Sequence, residues 1–289
     1  MLVSMKEMLN DAKKNHYAIP AFDVSNFEMM KAVLDVCEEE KSPALLMGLG
    51  VDFHDRALYM LTSMIRSASD FYKIPVCFHL DHATDFSYIQ EGIKAGASSV
   101  MFDGSMLPFE ENARRTAEIV HFAHQHNVTV EGELGHVGTA MVGNENDSVS
   151  NEDPEDTLTL PEEVVKFVEQ TDVDALAVAI GTAHGVYKKT PTLRIDRLDE
   201  ITAVCDRPLI LHGGSGTPNE QMQQAILHGV TKINIFSDVI GALNQGLKDK
   251  LNAITNPSTW PAFVFEEARE QMRQVVRDKI RTFGSCNRV

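Results

Sequence analysis

The sequence predicts an α/β fold, a (β/α)8 TIM barrel with extra C-terminal helices. Three observations carry this. Short apolar runs alternate with amphipathic helical stretches along the whole chain, the pattern of a parallel sheet. Several of those runs stop abruptly at an acid, an imidazole or an amide, as strands do where a barrel keeps its chemistry. No GxGxxG turn follows the first strand, which argues against an open dinucleotide-binding sheet. With 289 residues the chain suits one barrel of about 250 residues, and residues 1–289 are read as a single domain.

Met5 to Lys13 reads as a short amphipathic helix closing the barrel's bottom. Tyr17 to Phe22 is the first strand, and Ser25 or Asn26 can cap the helix from Phe27 to Glu39, whose Met30, Val33, Leu34 and Cys37 share a face. Pro43 to Met47 is a strand and Arg56 to Tyr72 a helix. Val76 to Leu80, opened by Pro75, is a buried strand that delivers Asp81 and His82. A helix from Phe86 to Ala95 follows, then Ser99 to Phe102 ending at Asp103, and a helix from Phe109 to His126. Val128 to Glu133 ends in acids. Gly135 to Leu160 is one long loop, and loops of that length are usually functional. After a helix at Pro161 to Gln170, Ala175 to Ile180 leads to Gly181 and His184. The helix from Ile195 to Val204 precedes Pro208 to Leu211, which ends at His212. Pro218 to Leu227 is helical, Ile233 to Ile235 is the last strand, and helices at Val239 to Ala253 and Val264 to Thr282 close the chain.

Composition narrows the function. The 43% apolar and 24% charged content is that of a soluble globular enzyme. A net charge of −16 argues against nucleic acid or an anionic membrane surface as partner. An anionic substrate must therefore meet a local positive feature: a metal ion, a helix N-terminus or a few basic residues. The first sixteen residues lack the apolar core of a signal peptide, and no run approaches the roughly 20 residues of a membrane span. Cys37, Cys77, Cys205 and Cys286 are scattered without a CxxC, as expected of reduced thiols in a cytoplasmic protein.

The strand ends gather Asp81, His82, Asp103, Glu133, His184, His212 and Asn234 at one mouth. Three histidines from three strands suit an open zinc site. Asp103 and Glu133 are oxygen ligands for another position of the same ion or for a second ion. Asp81, beside a candidate ligand, is placed as an acid/base, with a helix N-cap as the plainer role. His79 shares a face with Asp81 and is read as a packing or supporting residue inside the barrel. His136 opens the long loop after Glu133 and is a candidate for lining the site. His121, His124 and His126 lie along a helix and its exit and are read as solvated. The glycine-rich run from Leu211 to Pro218, between strand and helix, lets backbone N–H groups converge on an anion, and Asn234 to Asp238 adds an amide, a hydroxyl and another helix start. Metal beside phosphate suggests a small phosphorylated substrate whose carbonyl is polarised.

These residues resemble a known family. His-Leu-Asp-His at 79–82, Glu-Gly-Glu-Leu-Gly at 131–135, Ala-Val-Ala-Ile-Gly-Thr-Ala-His-Gly at 177–185, Leu-His-Gly-Gly-Ser-Gly at 211–216 and Lys-Ile-Asn-Ile at 232–235 are similar, in order and over nearly the whole chain, to the class II, zinc-dependent ketose-bisphosphate aldolases. The resemblance implies reversible aldol cleavage to dihydroxyacetone phosphate and an aldehyde. It implies zinc on His82, His184 and His212, with Asp103 and Glu133 serving a second divalent or a monovalent cation. Asp81 is implied to exchange the C4 hydroxyl proton. Gly185, Gly213, Gly214, Ser215, Asn234 and Ser237 are implied to hold the dihydroxyacetone phosphate half. An acid on the long loop, for which Glu145 is the candidate, is implied to return a proton. The family forms homodimers or homotetramers.

Four departures fall at the far end of the substrate or in the loop. Asp23 stands where the family usually has asparagine, and a carboxylate there would repel a second phosphate by roughly 1–4 kcal/mol at about 4 Å. Leu49 falls where a serine is usual. The arginine that grips the distal phosphate aligns best with Lys279, with Arg277 and Arg281 beside it in other registers, and a lysine there is a point charge in place of a fork. The loop's Gly-Gly-Glu-Glu-Asp is stretched to Gly143-Asn144-Glu145-Asn146-Asp147. The expected substrate is a ketose 1-phosphate whose distal end lacks phosphate. The alternatives are an ordinary fructose- or tagatose-1,6-bisphosphate aldolase giving glyceraldehyde 3-phosphate and, remotely, a zinc hydrolase barrel. The last would need two histidines two apart on one strand, whereas His79 and His82 are three apart.

Overall fold

A computed structural model of the chain describes residues 1–139, 157–187 and 190–289. Eight parallel strands close into a barrel: β1 (Ile19–Asp23), β2 (Ala44–Leu49), β3 (Val76–Ala83), β4 (Ser99–Phe102), β5 (Thr129–Leu134), β7 (Ala175–Val178), β9 (Leu209–Leu211) and β10 (Val230–Ile235), which pairs back onto β1. Two short strands, β6 (Gly138–Thr139) and β8 (Ala183–His184), pair with each other outside the barrel. The sequence reading lacks them, because two-residue strands carry no periodicity to read.

The helices between the strands are α2 (Phe27–Glu39), α3 (Asp55–Ser69), α4 (Phe86–Ala95), α5 (Phe109–His124), α6 (Pro161–Thr171), α7 (Ile195–Val204) and α8 (Asn219–Leu227). Asn26, not Ser25, caps α2, its side chain accepting from the Met29 N–H at 3.0 Å. Outward strand residues such as Phe22, Leu46, Phe78 and Val130 pack under these helices in the main apolar core. Among the described residues no helix is long and apolar enough to cross a membrane.

Alternation along the strands turns every second side chain inward. The inward residues form layers. At the bottom, α1 (Met5–Lys14) inserts Met5 and Leu9 among Ile19, Leu45, Cys77, Ala175 and Ile210, closing that end as expected. Above lies a fully buried polar layer of His79, Ser99, Glu131 and Lys232. The mouth opens above that.

At the C-terminus α9 (Ser237–Ala253), a short α10 (Pro261–Val264) and α11 (Glu266–Thr282) follow β10. Helices α9 and α11 approach so closely at Gly246 that a Cβ there would lie 2.4 Å from the Ala268 Cα. Alanine ordinarily stabilises a helix interior relative to glycine by about 1 kcal/mol. Gly246→Ala is nevertheless expected to destabilise the protein, by about 1–3 kcal/mol, because backbone cannot yield as a side chain can. Denaturant melts read this directly; an unchanged or raised midpoint would mean that the helices do not pack this tightly.

Candidate active site

The end of β3 departs from regular strand geometry. Consecutive strand residues face opposite sides, so Asp81 and His82 could not both enter the mouth from a regular β3. The register against β4 shifts between Leu80 and Ala83, and His82 has a φ of 47°, in the left-handed region. This bulge turns both side chains into one cavity. Such a conformation costs about 1–3 kcal/mol, and the contacts around His82 hold it there.

His82 Nδ1 lies 2.9 Å from Asp103 Oδ2, and Ser105 donates its hydroxyl to Asp103 Oδ1 at 2.7 Å. That leaves His82 Nε2 facing His212 Nδ1 at 2.9 Å. On its other side His212 Nε2 meets Glu131 Oε1 at 2.7 Å, and the second oxygen of Glu131 accepts from Lys232 Nζ at 2.7 Å. A buried Lys–Glu–His chain thus fixes the ring of His212. His79, bonded through Nδ1 to Ser99 Oγ at 2.7 Å, lies with Nε2 3.5 Å from Asp81 Oδ1. Asn234 Nδ2 reaches both Asp81 oxygens at 3.4 Å.

One ligand atom each of His82, His184 and His212 lie within 4.8 Å of one another, and so do those of His82, Asp103 and Glu133. His184 Nε2 and Glu133 Oε2 are buried with no hydrogen-bond partner among the described residues. Buried polar atoms left unpaired are costly, and an electrophile such as a metal ion would suit them. Three imidazoles with carboxylates alongside fit a divalent metal with an open position.

The charge states follow from burial and proximity. Burial opposes a charge on His82, but the Asp81 charge and the hydrogen bond to Asp103 outweigh it and hold its pKa at about 10. Burial and the His82 charge push His184 well below the usual histidine range, and burial lowers His212 too. Burial and the Asp103 charge push Glu133 up to about 8. Asp81 and Asp23 part company. Burial works against the Asp81 charge, yet His82, His79 and Lys232 keep its carboxyl well below the usual range. Burial and the Asp81 charge drive Asp23 well above it. Of the two, only Asp81 is held ionised, as a base must be.

The cavity, of about 280 Å³, is lined by Asp81, His82, Asp103, Glu133 and His184 together with Gly185, Gly213, Ser215, Asn234 and Ser237. Asp23, Leu49, Ser105, His136 and Phe236 complete most of its wall. Ser215 Oγ accepts from the N–H groups of Phe236 and Asp238 at 3.1 and 3.2 Å, tying the β9 loop to the start of α9. Tyr187 donates its hydroxyl to the Gly213 carbonyl and accepts from the Ala183 N–H, both at 2.8 Å.

The fructose-bisphosphate aldolase class-II family model matches residues 3–288. The chain belongs to that family. It is a class II aldolase, a carbon–carbon lyase of carbohydrate metabolism. The family generally uses a divalent metal and acts on phosphorylated sugars. The chain is similar to the YdjI aldolase of Escherichia coli K12, at 31% identity over 99% of both chains with a TM-score of 0.85. It is also similar to a Coccidioides immitis protein described as a candidate fructose-1,6-bisphosphate aldolase, at 28% identity over 98% of this chain and 96% of that one, with a TM-score of 0.84. The fructose-bisphosphate aldolase of Campylobacter jejuni, at 20% identity over 100% and 97% with a TM-score of 0.80, shares the fold.

The mouth brings together most of the residues that the sequence singles out for it. Gly214 is not among the residues that line the cavity, and its N–H is bonded to the Asn234 carbonyl at 3.1 Å. Lys279 is not brought to the cavity of its own chain: it is buried on α11, with Nζ 2.7 Å from Asp238 Oδ2. Glu145 lies outside the described residues. The sequence reading gives no role to Glu131, Lys232 or Ser105. A signal existed for the first two, since each stands two residues before a mouth residue, Glu133 or Asn234, and so shares its inward face.

Proposed function

We propose that this class II aldolase cleaves a ketose 1-phosphate into dihydroxyacetone phosphate and an aldehyde without a phosphate, using zinc. One observation carries the substrate reading. Gly213, Ser215 and Ser237 line the cavity beside the N-terminus of α9, a combination that suits one anion. Elsewhere its described lining contains acids and no lysine or arginine.

In this reading His82, His184 and His212 hold the ion, which when bound polarises the C2 carbonyl as a Lewis acid. Asp103, anchored by Ser105, orients His82, and Glu131 with Lys232 orients His212. Asp81, steadied by Asn234, takes the C4 hydroxyl proton. The C3–C4 bond then breaks, and C4 leaves as the aldehyde carbon. A proton returns to C3 of the departing half from an acid, a role we assign to Glu145. Asp103 and Glu133 offer a further cation position.

The test is dihydroxyacetone phosphate release from matched ketose 1-phosphates and 1,6-bisphosphates, with and without chelator. Chelator-sensitive turnover with a higher kcat/KM on the monophosphates is expected. A clear preference for fructose or tagatose 1,6-bisphosphate would make this an ordinary bisphosphate aldolase. Full turnover in chelator would remove the metal.

A further inference from the structure

We propose that Asp23 is a specificity-determining residue that hydrogen-bonds a hydroxyl on the aldehyde portion of the substrate, selecting uncharged, hydroxylated tails. The proposal rests on the monophosphate reading above. Asp23 ends β1 on its inward face, following Ile19 and Ala21. The register pairs Ala21 with Asn234 and Asp23 with Met47, setting its side chain between the strand that carries Asn234 and the one that ends in Leu49. It lines the cavity yet is only 4% exposed.

Its Oδ1 has no hydrogen-bond partner among the described residues. A buried oxygen left so normally costs about 1–3 kcal/mol, a cost that a ligand bringing a polar partner removes. Three classes of tail can be weighed against this wall. An anionic tail meets the charge of Asp81, with Asp52 also nearby, bonded by the Ser25 hydroxyl at 2.5 Å. A purely apolar tail packs on Leu49 but leaves the carboxyl unpaired. A hydroxyl suits it in either charge state, donating to a carboxylate oxygen or accepting from the acid. The raised pKa of Asp23 favours the second arrangement.

The reaction run towards condensation tests this with simple probes. Dihydroxyacetone phosphate is offered with glyceraldehyde, with propionaldehyde and with glyceraldehyde 3-phosphate, to the wild type and to Asp23→Leu, Asp23→Ala and Asp23→Asn. The wild type should favour glyceraldehyde over propionaldehyde in kcat/KM. Asp23→Leu and Asp23→Ala should each reduce that ratio about 10- to 100-fold, mostly through glyceraldehyde, while Asp23→Asn keeps most of it. A merely structural role would slow both aldehydes alike. Retention of the wild-type ratio in whichever of the leucine and alanine variants folds overturns the proposal. The third aldehyde separates the two readings. A wild-type preference for glyceraldehyde 3-phosphate over glyceraldehyde overturns the monophosphate reading, whereas the Asp23 ratio is read on the uncharged pair alone.

Discussion

Asp81→Asn is expected to lower kcat for cleavage by about 10²- to 10⁴-fold, the usual worth of a positioned proton acceptor. The substitution is nearly isosteric, so the contact with Asn234 and the bulge at His82 can survive it. What it removes is the capacity to take a proton. Asp81 is suited to that task because His82, His79 and Lys232 keep it ionised in a site where burial alone would neutralise it. Metal content measured alongside should match the wild type, since Asp81 belongs to neither cluster of candidate ligands. Turnover within about tenfold of the wild type, well short of the expected loss, would show that another group takes the proton.

Lys232→Met should be the most damaging substitution for the fold itself. Lys232 and Glu131 are both fully buried and joined at 2.7 Å. Removing one partner of such a pair costs about 3–5 kcal/mol, because the other charge is left uncompensated. Glu131→Gln/Lys232→Met should recover most of that stability, the polar layer having lost both charges. It should not recover metal binding, since His212 loses the carboxylate that fixes its ring. Affinity for zinc, measured by chelator competition, is expected to fall about 10- to 100-fold in the double variant. A single Lys232→Met variant as stable as the wild type in denaturant would contradict the buried ion pair. Wild-type zinc affinity in the double variant would deny Glu131 its orienting role.

The barrel is legible in the sequence because its strands are continuous apolar runs with abrupt polar ends, a pattern that needs no knowledge of neighbours. Asp103, Glu133 and Asn234 reach the mouth for that reason. The polar layer beneath is harder to read. Glu131 and Lys232 are 101 residues apart and meet only because β5 and β10 face each other across the barrel. The split between Asp23 and Asp81 is likewise a property of space rather than of either strand. The apolar run of β3 correctly suggests a strand but gives a false end at Leu80, since the alternation rule has no term for a bulge. Lys279 is legible only in part. Its place on α11 follows from helical periodicity, but its partner, Asp238, lies on another helix.

The bulge at the end of β3 also bears on motion. A proton acceptor and a metal ligand taken from different strands would change their separation whenever the barrel breathes. Asp81 and His82 are instead neighbours across one planar peptide unit, their Cα atoms about 3.8 Å apart by covalent geometry alone. In the proposed reaction the proton acceptor and one of the three histidines that hold the ion therefore belong to a single rigid unit. Thermal displacement of β2 or β4 would carry both together.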